Sequence, residues 1–179
     1  MKDPASGNIV LIGPMGAGKS TVARNLARAL QKTFVDSDKV IEERTGASIS
    51  LIFEIEGENG FRDREAQVLS ELIKQQNLVL ATGGGAVLRP ENRRRLREGG
   101  YVVYLRAPLD LLVERTARDQ NRPLLANADP RQRLATLMQE REPLYRETAD
   151  LIIDTGHRTV RQVVSLIRQQ CTPATHSSN

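Results

Sequence analysis

The sequence predicts an α/β fold in which a parallel sheet is covered by helices, and three observations lead there. Short apolar runs recur at 8–12 (NIVLI), 33–36 (TFVD), 78–82 (LVLAT), 101–105 (YVVYL) and 151–154 (LIID). Stretches of helical period lie between them, such as TVARNLARALQ from Thr21, and this alternation of periods is the mark of βαβ units. The runs are apolar at successive positions, as strands buried on both faces require. Ligands of such sheets gather at the carboxyl ends of the strands, so the segments that follow the runs are where chemistry is to be sought.

The elements follow in order. The first run leads through GPMGAGKST into a helix with Val22, Leu26, Ala29 and Leu30 on one side. The second ends in FVDSD, where a polar helical pattern begins. GFRDRE at 60–65 lies on a helical pattern, so Arg62 and Glu65, three apart, share a face. The third run is followed by TGGGAV, whose Gly83, Gly84 and Gly85 permit close approach of the backbone to a ligand. Arg93, Arg94, Arg95 and Arg97 read as a solvated helix face. RDQNRPLLANADP, from Arg118 to Pro130, has two prolines and little periodicity; it carries Arg122 and reads either as a mobile loop over a site or as a plain surface connection. REPLYRETAD places Arg141 before a proline near a helix end. A last helix over 159–170 aligns Val160, Val163, Val164 and Ile167, and the tail over 172–179 carries no apolar pattern and is expected to be disordered.

At 179 residues and 39% hydrophobic, the chain suits one well-buried core, so a single domain over 1–179 with its core at about 8–170 is expected. Its net charge of +4 makes anionic ligands plausible. Aromatics are 3% and tryptophan is absent, which argues against single-stranded nucleic acid, because stacking needs aromatic platforms. Cys171 is the sole cysteine, so no intrachain disulfide can form and a reducing compartment is its natural home. No run approaches the ~20 apolar residues of a membrane span; a cytoplasmic protein without membrane or nucleic-acid partners is expected.

The strongest local signal is G-x-x-x-x-G-K-S from Gly13 to Ser20, between a strand and a helix. Its glycines let the backbone around Gly16, Ala17 and Gly18 curl so that N–H groups face phosphate oxygens, and the helix N-terminus adds favourable potential. Lys19 would reach the β and γ phosphates, Ser20 would complete a magnesium shell, and Thr21 could continue the donor array. Motors, switches, helicases and small-molecule kinases all share this loop. No N-K-x-D segment of guanine-specific switches follows, and the length leaves no room for helicase or transporter modules, which leaves a small-molecule or nucleotide kinase as the leading class.

Such a kinase needs an acceptor site. Asp36 and Asp38 are two apart, so in an extended segment both carboxylates would point to one face, as a reactive pair or a metal site. Ser and Asp are also ordinary helix caps, and nothing local chooses among the three readings. Arg62 and Arg141, on separate elements, suit a carboxylate, whose oxygens match guanidinium forks.

GPMGAGKS, FVDSD, GFRDRE, ATGGGAV, RPLL and REPLY, in this order and at these intervals, closely resemble the shikimate kinase family, and the resemblance runs from Asn8 to Gln170. It implies a nucleoside-monophosphate-kinase-like, three-layer α/β/α fold of P-loop kinase type with a five-stranded parallel sheet. It also implies a lid at about 117–130 and transfer of the ATP γ-phosphate to the 3-hydroxyl of shikimate in chorismate biosynthesis. A monomer is implied, with ATP and shikimate as substrates and one Mg²⁺ per subunit. Carried onto matching positions, Asp38 would contact the shikimate hydroxyls, while Arg62, Arg141 and the Gly84 N–H would bind its carboxylate. Phe53 and Phe61 would wall the pocket, although core packing serves Phe53 equally well. Ser20 would be a direct metal ligand with Asp36 beside the ion through water, Arg122 would be the lid arginine, and Arg115 and Arg158 would flank the adenine. Glu65, one turn from Arg62, could fix its guanidinium in advance. A gluconate kinase would share the phosphate loop without the FRDRE, TGGG and REPLY set; a nucleotide-dependent binding module would consume ATP without dependence on shikimate.

Overall fold

The computed structural model describes residues 2–118 and 129–171. Each apolar run forms a strand: β1 (Asn8–Ile12), β2 (Thr33–Asp36), β3 (Leu78–Ala81), β4 (Gly100–Arg106) and β5 (Leu151–Asp154). All pairings are parallel, in the order β2-β3-β1-β4-β5. Seven helices are present among the described residues: α1 (Lys19–Leu30), α2 (Ser37–Thr45), α3 (Ile49–Leu72), α4 (Pro90–Gly99), α5 (Leu109–Thr116), α6 (Pro130–Thr148) and α7 (Val160–Cys171). None of them is long and apolar enough to cross a membrane.

The sheet separates two cores, because successive strand residues face opposite sides. Ile9 and Leu11 of β1 pack with α1, α5 and α7 through Val22, Leu26, Leu112 and Ile167. Val10 and Ile12 pack with α2, α3, α4 and α6 through Ile41, Leu69, Leu96 and Tyr145. Layers of helix, sheet and helix result, as expected. Burial on both faces holds for β1 and β3 but not for the edges; β2 is at best half-buried and Ile152 of β5 is exposed. Because β1 lies between β3 and β4, strand order reverses around it, and the crevice at its carboxyl end is the place a ligand enters such a sheet.

Three local expectations change. Helix α1 begins at Lys19, two residues before the predicted Thr21, and its buried face holds Val22, Ala23, Leu26 and Ala27. At 100° per residue this arc is centred on Ala23 and Leu26, which carries Ala29 to the exposed rim. Arg141 is not near a helix end: α6 continues through Pro143 to Thr148. An internal proline costs about 3 kcal/mol of helix stability, and burial of Tyr145 and Thr148 beyond it supplies the compensation. The arginine run of α4 is not uniformly solvated, since Arg93 is half-buried and donates from Nη1 to the carbonyls of Val87 (2.8 Å) and Leu88 (3.1 Å).

Candidate active site

The loop after β1 wraps over the start of α1. Gly16 (φ 84°) and Gly18 (φ 89°) adopt left-handed conformations that favour glycine, and Gly18 is the residue from which α1 springs. Lys19 is buried, and its ammonium donates to the carbonyls of Gly13 (2.7 Å) and Pro14 (2.8 Å). The charge is thereby drawn over the loop at the positive end of the α1 dipole. Ala17 is buried in the core, whereas Thr21 is exposed at the rim of the cavity. From α5, Arg115 reaches across and donates from Nη1 to the Gly16 carbonyl at 2.9 Å.

Asp36 and Asp38 do not share an extended face. Asp36 ends β2, but Asp38 already lies in the first turn of α2, because the chain turns helical between them. Asp36 is the N-cap: its Oδ1 accepts from the N–H groups of Asp38 (3.0 Å) and Lys39 (3.3 Å). Its other oxygen, Oδ2, accepts from the Ser20 hydroxyl at 2.6 Å. The cap reading and the reading as a partner of Ser20 are both realised, one on each oxygen. These are hard oxygen donors of the kind Mg²⁺ takes, one or two from protein and the rest from phosphates and water. No group of three or more His, Cys, Asp or Glu that could form an all-protein cage exists among the described residues.

Asp38 turns instead toward the glycine segment after β3. A methyl group at residue 83 would stand 2.9 Å from Asp38 Oδ1 and 3.1 Å from Glu65 Oε2, so both carboxylates crowd Gly83. Asp38 Oδ1 is sealed from solvent with no hydrogen-bond partner. Burial, reinforced by Glu65 and Asp36 and opposed by Lys19 and Arg62, pushes the carboxyl up to about 7. A group that changes charge near neutrality is suited to holding a proton that it can also release.

Arg62 and Arg141 are buried on either side of the same turn. A methyl at residue 85 would collide with the Arg62 guanidinium, and one at residue 84 would stand 3.4 Å from Arg141 Nη1. Arg62 Nη1 donates to the fully buried Glu65 at 2.9 Å, and Nη2 to the more exposed Glu58 at 3.3 Å. Glu65 is raised by its burial, against the pull of Arg62 first and then of Arg141 and Arg89. The Nε atoms of Arg62 and Arg141 and the Glu65 Oε2 are buried without hydrogen-bond partners. Such groups ask for a polar ligand. Phe61 is buried with the Arg62 guanidinium 5.2 Å from its ring centroid, and half-buried Phe53 packs on it at 4.8 Å between centroids.

A single cavity of about 270 Å³ is lined by Gly16, Gly18, Lys19, Ser20, Thr21, Asp36, Asp38, Gly83, Gly84 and Arg115, so phosphate-loop and acceptor residues share one space. Arg62, Glu65, Gly85 and Arg141 are not among its lining residues; Arg141 lines a small adjoining cavity with Met15 and Tyr145. Arg158 joins neither. Its guanidinium donates to the Asp154 carbonyl at 2.6 Å and lines a separate cavity of about 840 Å³ with Pro108, Asp154 and His157. Arg122 lies outside the described residues, as does most of the expected lid. Sequence reasoning gave no role to Met15, Thr82 or Tyr145. Met15 and Thr82 line the shared cavity, and Thr82 donates its hydroxyl to the Leu11 carbonyl at 3.0 Å. Tyr145 stands four residues after Arg141 on α6 and donates to the Gly84 carbonyl at 2.6 Å; that helical spacing was the signal that could have found it.

A parallel sheet with a phosphate loop at the end of its central strand, sharing a cavity with Asp38 and the glycine turn against which Arg62 and Arg141 pack, defines a P-loop phosphotransferase. The family model for shikimate kinase matches residues 15–172. The chain is 56% identical over 168 residues to the shikimate kinase of Nitrosospira multiformis, covering 94% of this chain and 86% of that one. It is 59% identical over 160 residues to that of Thioalkalivibrio sulfidiphilus, covering 89% and 84%. Among solved structures, the shikimate kinase from Acinetobacter baumannii in complex with shikimate matches with a TM-score of 0.90 at 52% identity, covering 92% of each chain. The chain belongs to the shikimate kinase family of ATP-dependent kinases.

Proposed function

We propose that this chain transfers the γ-phosphate of ATP to the 3-hydroxyl of shikimate, giving shikimate 3-phosphate and ADP, with the residues of the shared cavity at the centre of the reaction and those around it holding the two substrates. The observation that carries the residue-level reading is that Asp38, Gly83 and Gly84 line the same space as Lys19 and Ser20. The acceptor oxygen can thus stand next to the phosphate it attacks, and alignment of that kind supplies much of the rate of phosphoryl transfer.

In this reading the N–H groups of Gly16, Gly18, Ser20 and Thr21 hold the phosphates, Ala17 packs beneath them with its own N–H on the Pro14 carbonyl (3.2 Å), and Lys19 neutralises charge on the group in flight. Arg62 and Arg141, with N–H groups of Gly83, Gly84 and Gly85, hold the shikimate carboxylate; Glu65 fixes Arg62 and Phe61 walls the pocket. Asp38 orients the 3-hydroxyl and takes its proton as the oxygen bonds to phosphorus and ADP departs. Mg²⁺, held by Ser20 directly and by Asp36 through water, would supply further neutralisation of phosphate charge when bound. Arg115 and Arg158 flank the adenine, and Arg122 reaches the phosphates from the lid. The proposal includes a single domain, as the chain length suggests, a cytoplasmic location, as the lone cysteine suggests, and a monomer, as the family resemblance implies.

Replacing Asp38 by asparagine keeps the shape and removes the base. In a coupled ADP-release assay with and without shikimate, Asp38→Asn is expected to lower shikimate-dependent turnover by roughly 10²–10⁴-fold. Turnover within a few-fold of the parent would end the assignment of Asp38 as orienter or base.

A further inference from the structure

The glycine turn after β3 has its carbonyls engaged and its donors free. Gly83 O accepts from Ala86 N–H (3.1 Å), Gly85 O from Leu88 N–H (3.1 Å), and Gly84 O from the Tyr145 hydroxyl (2.6 Å). The N–H groups of Gly83, Gly84 and Gly85 donate to no acceptor among the described residues, although Gly85 is buried. Two of the three carbonyls are held by backbone within the turn. The third is held by a side chain, and therefore by a residue that can be changed.

We propose that Tyr145 is a positioning residue for the carboxylate-binding turn, its hydroxyl fixing the Gly84–Gly85 peptide so that the Gly85 N–H is presented, polarised, to the substrate carboxylate. The inference rests on the reading of Arg62, Arg141 and the turn as a carboxylate clamp. A peptide is planar and trans, so holding the Gly84 oxygen toward α6 directs the Gly85 N–H the opposite way, on the residue against which the Arg62 guanidinium packs. A hydrogen bond accepted at a peptide carbonyl also strengthens donation from the N–H of the same unit.

The anchor is rigid. Tyr145 has no exposed surface, and its ring stacks on Tyr104 with centroids 4.9 Å apart. The Tyr104 hydroxyl in turn donates to Glu142. Arg141, one helical turn before Tyr145, directs its positive charge at the Tyr145 hydroxyl, so one stretch of α6 governs two parts of the clamp. Burial pushes the phenol up to about 12, so the hydroxyl keeps its proton throughout the range in which the enzyme can be assayed.

Tyr145→Phe retains the ring and its stacking while removing the donor. Its shikimate affinity, measured by calorimetry, is expected to fall roughly 3–10-fold, the worth of one hydrogen bond. The KM for ATP should stay within about twofold, and the loss should be flat from about pH 6 to pH 9 because the group does not titrate there. A merely structural role would move both KM values together. Tyr104→Phe, which removes a hydroxyl that does not touch the turn, should leave shikimate affinity unchanged. Unaltered shikimate affinity in Tyr145→Phe, alongside weakened binding in Arg141→Ala, overturns the role of Tyr145 alone; unaltered binding in Arg141→Ala overturns the clamp itself. Should Tyr145→Phe fail to fold, 3-fluorotyrosine at position 145, a stronger donor of nearly equal size, must tighten shikimate binding, and unchanged or weaker binding overturns the proposal.

Discussion

The two glycine-rich segments of the site use the same residue for opposite reasons. In the phosphate loop, Gly16 and Gly18 have φ of 84° and 89°, and a methyl at Gly18 would meet nothing closer than 3.8 Å. At Gly18 space is available, but the path of the backbone is not open to other residues; at Gly16 a methyl would in addition stand 3.1 Å from Thr116 Cγ2. In the acceptor turn none of Gly83, Gly84 and Gly85 has a positive φ, yet a methyl at Gly85 would collide with Arg62 and one at Gly83 would crowd Asp38. There the path is open and the space is not. The phosphate loop is thus a device of local backbone geometry, and the acceptor turn is a surface against which distant charged side chains are packed.

The largest effect should come from removing one of those charges. Arg62 and Glu65 are both buried, so Arg62→Ala strips the substrate carboxylate of a partner and leaves the Glu65 carboxyl uncompensated. Shikimate binding should weaken by about 2–5 kcal/mol, the cost of truncating one side of a buried charged pair, and the fold should lose about 3–5 kcal/mol. Nucleotide affinity should persist, because the phosphate loop is built without Arg62. Calorimetric titrations with shikimate and with ADP separate the two halves of the site; an equal loss of both would show that the halves are not independent.

The next effect concerns Asp38, the acceptor carboxylate that lies nearest the loop's territory. Its carboxyl is raised from 3.8 to about 7, chiefly by burial. In the folded chain it therefore keeps a proton that the unfolded chain has released, and between these values the folded state binds more protons. Stability contributed at low pH is lost as pH rises from about 4 to about 7 and is constant above, by linkage. Asp38→Asn cannot ionise, so its stability should lack this decline, and at pH 8 it should unfold at a denaturant concentration equal to or above that of the parent while being catalytically impaired. Parallel stability–pH curves for the two proteins would dispose of the raised carboxyl. In the parent, shikimate-dependent turnover should climb with pH through about 7 as Asp38 gains its capacity to accept a proton.

How much of this was legible in the sequence follows from the same contrast. Gly13 to Ser20 could be read directly, because the function of that loop resides in consecutive backbone and its spacing is the signal. The strands could be read because burial on both faces writes itself as unbroken apolar runs, and the misplacements were matters of rim and end, such as Ala29 and the start of α1. Asp36 and Asp38 could not be parted by spacing, since the separation depends on where β2 stops and α2 begins, a boundary fixed by the cap that Asp36 itself makes. Arg62 and Arg141 are 79 positions apart, and only the sheet brings them to one turn; residue chemistry made them candidates for a carboxylate, and the family resemblance joined them on one substrate. The spacing of Tyr145 from Arg141 could place it on the same helix face, but its partner Gly84 lies too far off in sequence to be read, and Arg93 was misread because an arginine's partners, not its neighbours in sequence, decide whether it is solvated.

The smallest effects are also the most direct test of the difference between the two glycine segments. Gly18→Ala forces a side chain into a left-handed conformation at a cost of about 1–2 kcal/mol, without steric conflict. The penalty should fall on ATP, as a raised KM with shikimate affinity nearly unchanged, because only the loop path is disturbed. Gly85→Ala introduces no backbone strain but must displace the Arg62 guanidinium, an overpacking cost of about 1–3 kcal/mol that should appear in shikimate affinity and leave ATP nearly untouched. The two variants add the same methyl group, so size and hydrophobicity cancel in the comparison. A truncation that frees the space then sharpens it: Arg62→Ala combined with Gly85→Ala should be no less stable than Arg62→Ala alone, because the methyl no longer has a guanidinium to strike. An additive loss of stability in the double variant would mean that Gly85 is required for its backbone path after all, and the distinction between the two loops would fall.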